Sequence, residues 1–138
     1  MPARPDDRPL VTAPLWADPD DRVPLLVDGR EATRVWVARR RRDRSKGLLG
    51  TDGIDGGLWI TRCGSVHCVG MRHTIDVVYV ARNGRVVAVR TMRPGSVGLP
   101  RLRARATLEL PDGGARTLGI TVGSQVELGP AATTKPTD

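Results

Sequence analysis

Two dipeptides constrain the architecture of this chain more than any other feature. In "VPLLVDGREATRVWVA" the pair Asp28 and Gly29 stands between two apolar, β-branched runs, and in "IDVVYVARNGRVVAVRTM" Asn83 and Gly84 do the same. Such pairs tolerate the positive backbone angles of a tight hairpin turn, while β-branched runs suit a pleated surface. Each stretch therefore predicts an antiparallel hairpin. Along the second limb of the first, Thr33, Val35 and Val37 share one face and Arg34, Trp36 and Ala38 the other. Further strands are expected in "LWITRC", in "SVHCVGM", over 106–110 and near 125–128, with a helical turn over 114–118. "RRRRDRSKGLLG" loses the alternation, is rich in helix formers and ends in glycine, which predicts one short helix with a basic outer face. Many turn-bounded strands and little helix make the fold mainly β: a compact sandwich, jelly-roll-like or distorted barrel domain with one or two short helices.

A chain of 138 residues is long enough for one domain. Residues 23–129 carry the strand signals. Residues 1–22, rich in Pro, Asp and Arg, and residues 130–138, without an apolar run, are expected to be flexible tails. Trp16 is the exception, an apolar side chain suited to docking on the domain. There is no run of about 18 apolar residues and no apolar signal core, so neither a membrane span nor export is expected and the reading is cytoplasmic. Cys63 and Cys68 fit that reading as reduced thiols. The net charge of +7 and the four arginines 39–42 invite a nucleic-acid partner. The near absence of rings, with no Phe and one Tyr, and the dispersal of basic residues argue against sequence-specific binding. The arginine run is read instead as a solvated helix face.

Chemistry concentrates in "SVHCVGMRHTIDVVYV", residues 65–80. The longer stretch "CGSVHCVGMRHTIDVVYVARNGRVVAV" resembles the signature of the domain of unknown function 192 family. "RSKGLLG" upstream and "ATLELPDGGARTLGITVGSQVEL" downstream match further elements of that family in the same order, over about residues 33–128. The resemblance implies a compact, mainly β domain and no established activity. The matched polar positions are His67, Met71, Arg72, Asp76 and Glu109; Gly47, Leu48, Gly119 and Gly123 match structurally. Cys68, His73, Thr74 and Ser124 depart from the family pattern.

These residues define a candidate cleft of His67, Met71, Arg72, Asp76 and Glu109. Arg72, Asp76 and Glu109 suit an ion-pair network that shapes the cleft, since a guanidinium fork fits carboxylates. His67 is either a base or a hydrogen-bonded strand tie. The best metal set, Cys63, His67, His73 and Asp76, matches no compact zinc spacing, and neither a metal nor another cofactor is expected. "GTDGIDGG" lacks the calcium-loop and phosphate-loop patterns and is read as a mobile lid over His67. Three functions fit: a non-catalytic module binding a small anionic ligand or a peptide end, which the residues favour; a hydrolase-type enzyme using His67 and Asp76; and an interaction protein docking on a partner through its basic helix and tails.

Overall fold

The computed structural model describes residues 9–130, and the expectations for residues 1–8 and 131–138 lie outside them. Along the chain run β1 (Val23–Val27), β2 (Arg30–Ala38), α1 (Arg41–Lys46), β3 (Gly57–Thr61), β4 (Ile75–Ala81), β5 (Val86–Met92), β6 (Ala104–Pro111), α2 (Gly114–Thr117) and β7 (Val126–Leu128). The strands form one sheet in the order β5-β4-β6-β3-β2-β1-β7. Among the described strands only β2 and β3 pair in parallel; every other neighbouring pair is antiparallel. The edges of the sheet approach each other, because Arg85 bridges Gln125 and the Val86 amide donates to the Ser124 carbonyl at 2.9 Å. The sheet thus curls toward a barrel, and the described residues are mainly β with two short helices.

Both hairpins form at the expected turns. Asp28 and Gly29 have φ of 50° and 85°, the paired left-handed geometry of a two-residue turn. In the second turn only Gly84 is left-handed, with φ of 88°.

Each face of the sheet is buried under its own cluster. Leu25, Val35, Val78, Val80, Leu108, Leu110 and Val126 pack on the first face with Ala115 and Ile120. Trp36, Leu58, Ile60, Val77 and Tyr79 pack on the second face with Leu48, Ile54, Val66 and Cys68 from the loops. Burial on both sides explains why "IDVVYVA" reads as a continuous apolar run and not as an alternation.

Two expectations need revision. Residues 65–71 are not a strand: a single bridge joins His67 to Val97, and the chain then turns, with the Met71 amide donating to the Cys68 carbonyl at 3.1 Å. Gly70, at φ 84°, permits that turn and breaks the extended run. The glycine-rich loop is anchored and not a free lid. Thr51 and Ile54 are buried, and the Asp52 and Asp55 amides donate to the Val11 and Thr12 carbonyls at 2.7 and 2.9 Å. The described part of the N-terminal segment lies along the domain, as read for Trp16 alone: the Trp16 indole donates to the Gly47 carbonyl, and the Trp36 indole donates to the Asp18 carbonyl, both at 2.9 Å.

Candidate functional site

On the second face of the sheet, β3, β4 and β6 present Ile60, Ile75 and Glu109 as the floor of a small cavity. Helix α1 and the turn after it, Arg44 to Leu49, make one wall. The irregular segment carrying Cys63, Ser65, Val66, His67 and Met71 makes the other. The volume is about 110 Å³, room for a single functional group and its neighbours and not for a whole cofactor.

The walls hold their shape through backbone hydrogen bonds. The Cys68 amide donates to the Ser96 carbonyl at 2.7 Å, and the Cys68 carbonyl accepts from Gly95 at 2.7 Å as well as from Met71. The Gly98 amide donates to the Val66 carbonyl at 2.8 Å. On the opposite wall the Gly47 amide closes α1 on the Asp43 carbonyl at 2.8 Å. Arg44 reaches across, donating from Nη1 to the Thr61 and Arg62 carbonyls at 3.4 Å, while its Nε is buried with no acceptor.

Glu109 is the electrostatic anomaly of the cavity. It lies opposite Leu58 on β3 and Val77 on β4, both fully buried. Its side chain makes no hydrogen bond or ion pair among the described residues, and burial pushes its carboxyl up to about 7. Its charge adds to burial in raising the Cys68 thiol. Cys63 and Cys68 are both free, and the Cys63 thiol donates to the Ser65 carbonyl at 3.0 Å.

The cavity gathers His67, Met71 and Glu109 from the expected cleft but excludes Arg72 and Asp76. Arg72 pairs with Asp52 at 3.1 Å, and Asp52 also accepts from the Val11 amide at 2.9 Å, so this pair fastens the glycine-rich loop to the N-terminal segment. Asp76 sits beside Leu110 in register, one residue away from the Val77–Glu109 pair, and therefore faces the other side of the sheet. There it accepts from Thr91 Oγ1 at 2.9 Å and from the Ala115 amide at 3.0 Å. The expected network of Arg72, Asp76 and Glu109 does not form.

His73 is also outside the cavity. Its Nε2 lies 2.8 Å from Thr51 Oγ1, whose hydroxyl donates to the Leu48 carbonyl at 2.6 Å. Thr51 therefore accepts, and Nε2 carries the ring proton. Burial lowers the His73 pKa, partly offset by the Thr74 backbone and by Asp52. Among the described residues no three His, Cys, Asp or Glu side chains are grouped to hold a metal ion, and Asp76 points away from the other three members of the expected set.

Sequence reasoning missed Arg44, Lys46, Cys63 and Ser65 as cavity walls. A signal was present, since "RSKGLLG", "CGSVHCVGM" and "ELP" carried the family resemblance and all three meet at this cavity.

Comparison with known proteins gives a coherent picture. The DUF192 family model, described as Uncharacterized ACR, matches residues 23–128. A UPF0127 protein from Pyrococcus horikoshii is 41% identical over 49 residues, which are 36% of this chain and 43% of that protein. The match thus spans less than half of the relative's length. The crystal structure of a protein of unknown function from Novosphingobium aromaticivorans DSM 12444 is similar with a TM-score of 0.71 at 23% identity, covering 87% of this chain and 93% of that one. The crystal structure of a "putative transcription regulator" from Sinorhizobium meliloti 1021 is similar with a TM-score of 0.66 at 21% identity, covering 78% and 92%. At those identities the two structures speak for the fold alone.

Proposed function

The chain belongs to the DUF192 family, whose description carries no activity, and we propose on the geometry of the cavity that the domain is a non-catalytic binding module for one end of a small polar ligand. The observation that carries this reading is the Glu109 carboxyl, 5% exposed, unpaired among the described residues, and forming part of the floor of a cavity that also exposes His67. A buried carboxyl without a donor is costly, and a ligand hydroxyl or amine placed over it would supply the missing hydrogen bond. Arg44, with its unsatisfied Nε, and Lys46 line the same cavity and favour an anionic group elsewhere on the ligand. A peptide end or an amino-acid-like molecule has both features.

The enzyme reading has less support. His67 and Asp76 would have to act together, yet Asp76 is spent on the opposite face holding Ala115 and Thr91. The Cys63 thiol donates to the Ser65 carbonyl, and among the described residues no histidine or carboxylate is hydrogen-bonded to it as the base of a nucleophile would be. No helix among the described residues is long and apolar enough to cross a membrane.

Native mass spectrometry of freshly purified protein tests the proposal. A retained organic mass, released by denaturation and absent from Glu109→Leu, is the expected result. A bare protein, together with unchanged spectra of His67 and Met71 on screening amino acids and short peptides by NMR, would overturn it.

A further inference from the structure

A second concavity, separate from the Glu109 cavity, opens at one end of three neighbouring strands. It is lined by Arg62, Gly64, Arg82, Ala104 and Arg105, with a volume of about 500 Å³ and no acidic residue in its walls. Arg62 follows β3, Arg82 follows β4, and Arg105 lies near the start of β6, which runs between them. None of the three guanidiniums makes an ion pair or hydrogen bond among the described residues, whereas Arg22, Arg34 and Arg72 each have a carboxylate. Placing three unpaired cations around one hollow raises the local positive potential.

Two of these arginines are set by local departures from regular backbone. Arg62 has φ of 52°, a left-handed conformation that residues with a Cβ seldom adopt. Arg105 is the extra residue of a bulge: Val80 pairs with Ala106 and Ala81 with Ala104, which leaves Arg105 without a partner on β4. Bulges and isolated left-handed residues re-aim side chains, and here both fall on arginines of the same hollow. The Cys63 amide donates to the Arg105 carbonyl at 3.1 Å, fixing the two irregular segments to each other.

We propose that Arg62, Arg82 and Arg105 form a binding site for the phosphate group of a soluble small molecule. Guanidinium forks match phosphate oxygens two at a time, and three of them around a hollow can surround a dianion that no protein carboxylate competes for. The hollow is an open depression that admits a small anionic group, and it offers no aromatic platform on which nucleic-acid bases would stack.

The test is a titration of the whole protein with inorganic pyrophosphate at physiological ionic strength, where screening suppresses long-range attraction. Arginine side-chain NMR and calorimetry give the readouts. Saturable binding is expected, with shifts confined to Arg62, Arg82 and Arg105, and each of Arg62→Ala, Arg82→Ala and Arg105→Ala should weaken it about tenfold. All three side chains are exposed, so the variants keep the fold, and Arg30→Ala, outside the hollow, should bind as the unmodified protein does. Non-saturable shifts spread over many arginines, or an equal loss in Arg30→Ala, would overturn the site. Binding to phosphatidic-acid vesicles without binding to pyrophosphate would also overturn it, assigning the arginines to a lipid surface.

Discussion

A carboxyl raised to about 7 by burial makes Glu109 a liability to the folded state at neutral pH. Its folded pKa exceeds the unfolded value of 4.5, so between those limits the folded protein binds more protons than the unfolded chain, and stability falls as pH rises. The shift corresponds to about 3 kcal/mol, fully lost above neutrality. His73 acts in the opposite sense, because its lowered pKa takes stability away as pH falls below 6.5. The stability difference between the unmodified protein and Glu109→Gln cancels the histidine. Measured by urea denaturation, that difference should shift by about 3 kcal/mol in favour of the variant between pH 5 and 8, and a pH-independent difference would show that Glu109 titrates normally. Thiol labelling offers a second check. Cys68, fully buried and with a raised pKa, should react with a maleimide only on unfolding, whereas the half-buried Cys63 should label in the native protein. At this scale much was legible: His67, Met71 and Glu109 stand out in the sequence and do line one cavity. The sidedness of Asp76 was not, because β4 is apolar on both faces and its own pattern cannot say which neighbours a carboxylate joins.

Elements here are held by polar pins whose loss has local and calculable effects. Helix α2 is only four residues long, and Asp76 ties its Ala115 amide to Thr91 on β5. Asp76→Ala leaves two donors without an acceptor and should lower stability by about 1–3 kcal/mol in chemical denaturation. Because Asp76 faces away from the cavity, ligand binding there should be unchanged in the folded variant; a matching loss of binding would revive the His67–Asp76 pairing. The glycine-rich loop makes a sharper case. Its composition suggests freedom, yet Thr51 is bonded to both Leu48 and His73, and the Asp52 and Asp55 amides pair with the N-terminal segment. Hydrogen exchange at Thr51, Asp52 and Asp55 should be slowed well beyond that of a free loop, and fast exchange at all three would restore the lid. These contacts join positions far apart in sequence, so glycine content alone could not disclose them. The hairpins and α1 were legible because their signals are local: turn residues, alternation and a capping glycine.

Across the whole molecule, local signals gave the strand class but not the order in which strands lie. The parallel pairing of β2 with β3 and the placement of β7 beside β1 depend on contacts between distant segments, such as the Gln125 amide donating to Asp28 Oδ1 across 97 residues. That bond belongs to a seam where the first hairpin turn, the second hairpin turn and the approach to β7 meet: Asp28 donates to the Gln125 carbonyl, and the Val126 amide donates to the Gly84 carbonyl, both at 2.8 Å. The seam turns a sheet with two free edges into a curled, barrel-like body, and its closure should control global stability. Gly84 is the position that reports on it. A Cβ there would meet the Gln125 side chain and lie 3.0 Å from the Val126 carbonyl oxygen, a backbone atom that cannot yield without opening the seam. Gly95 has nearly the same φ, 87° against 88°, but a Cβ there meets nothing within 4 Å. Gly95→Ala should therefore cost only the left-handed strain of about 1–2 kcal/mol. Gly84→Ala should cost that and about 1–3 kcal/mol more from overpacking. Urea midpoints of the two variants, measured side by side, separate backbone strain from closure. Equal losses would mean that the sheet is stable without its seam, and a larger loss at Gly84 would place the meeting of β5 and β7 among the contacts that hold the whole domain.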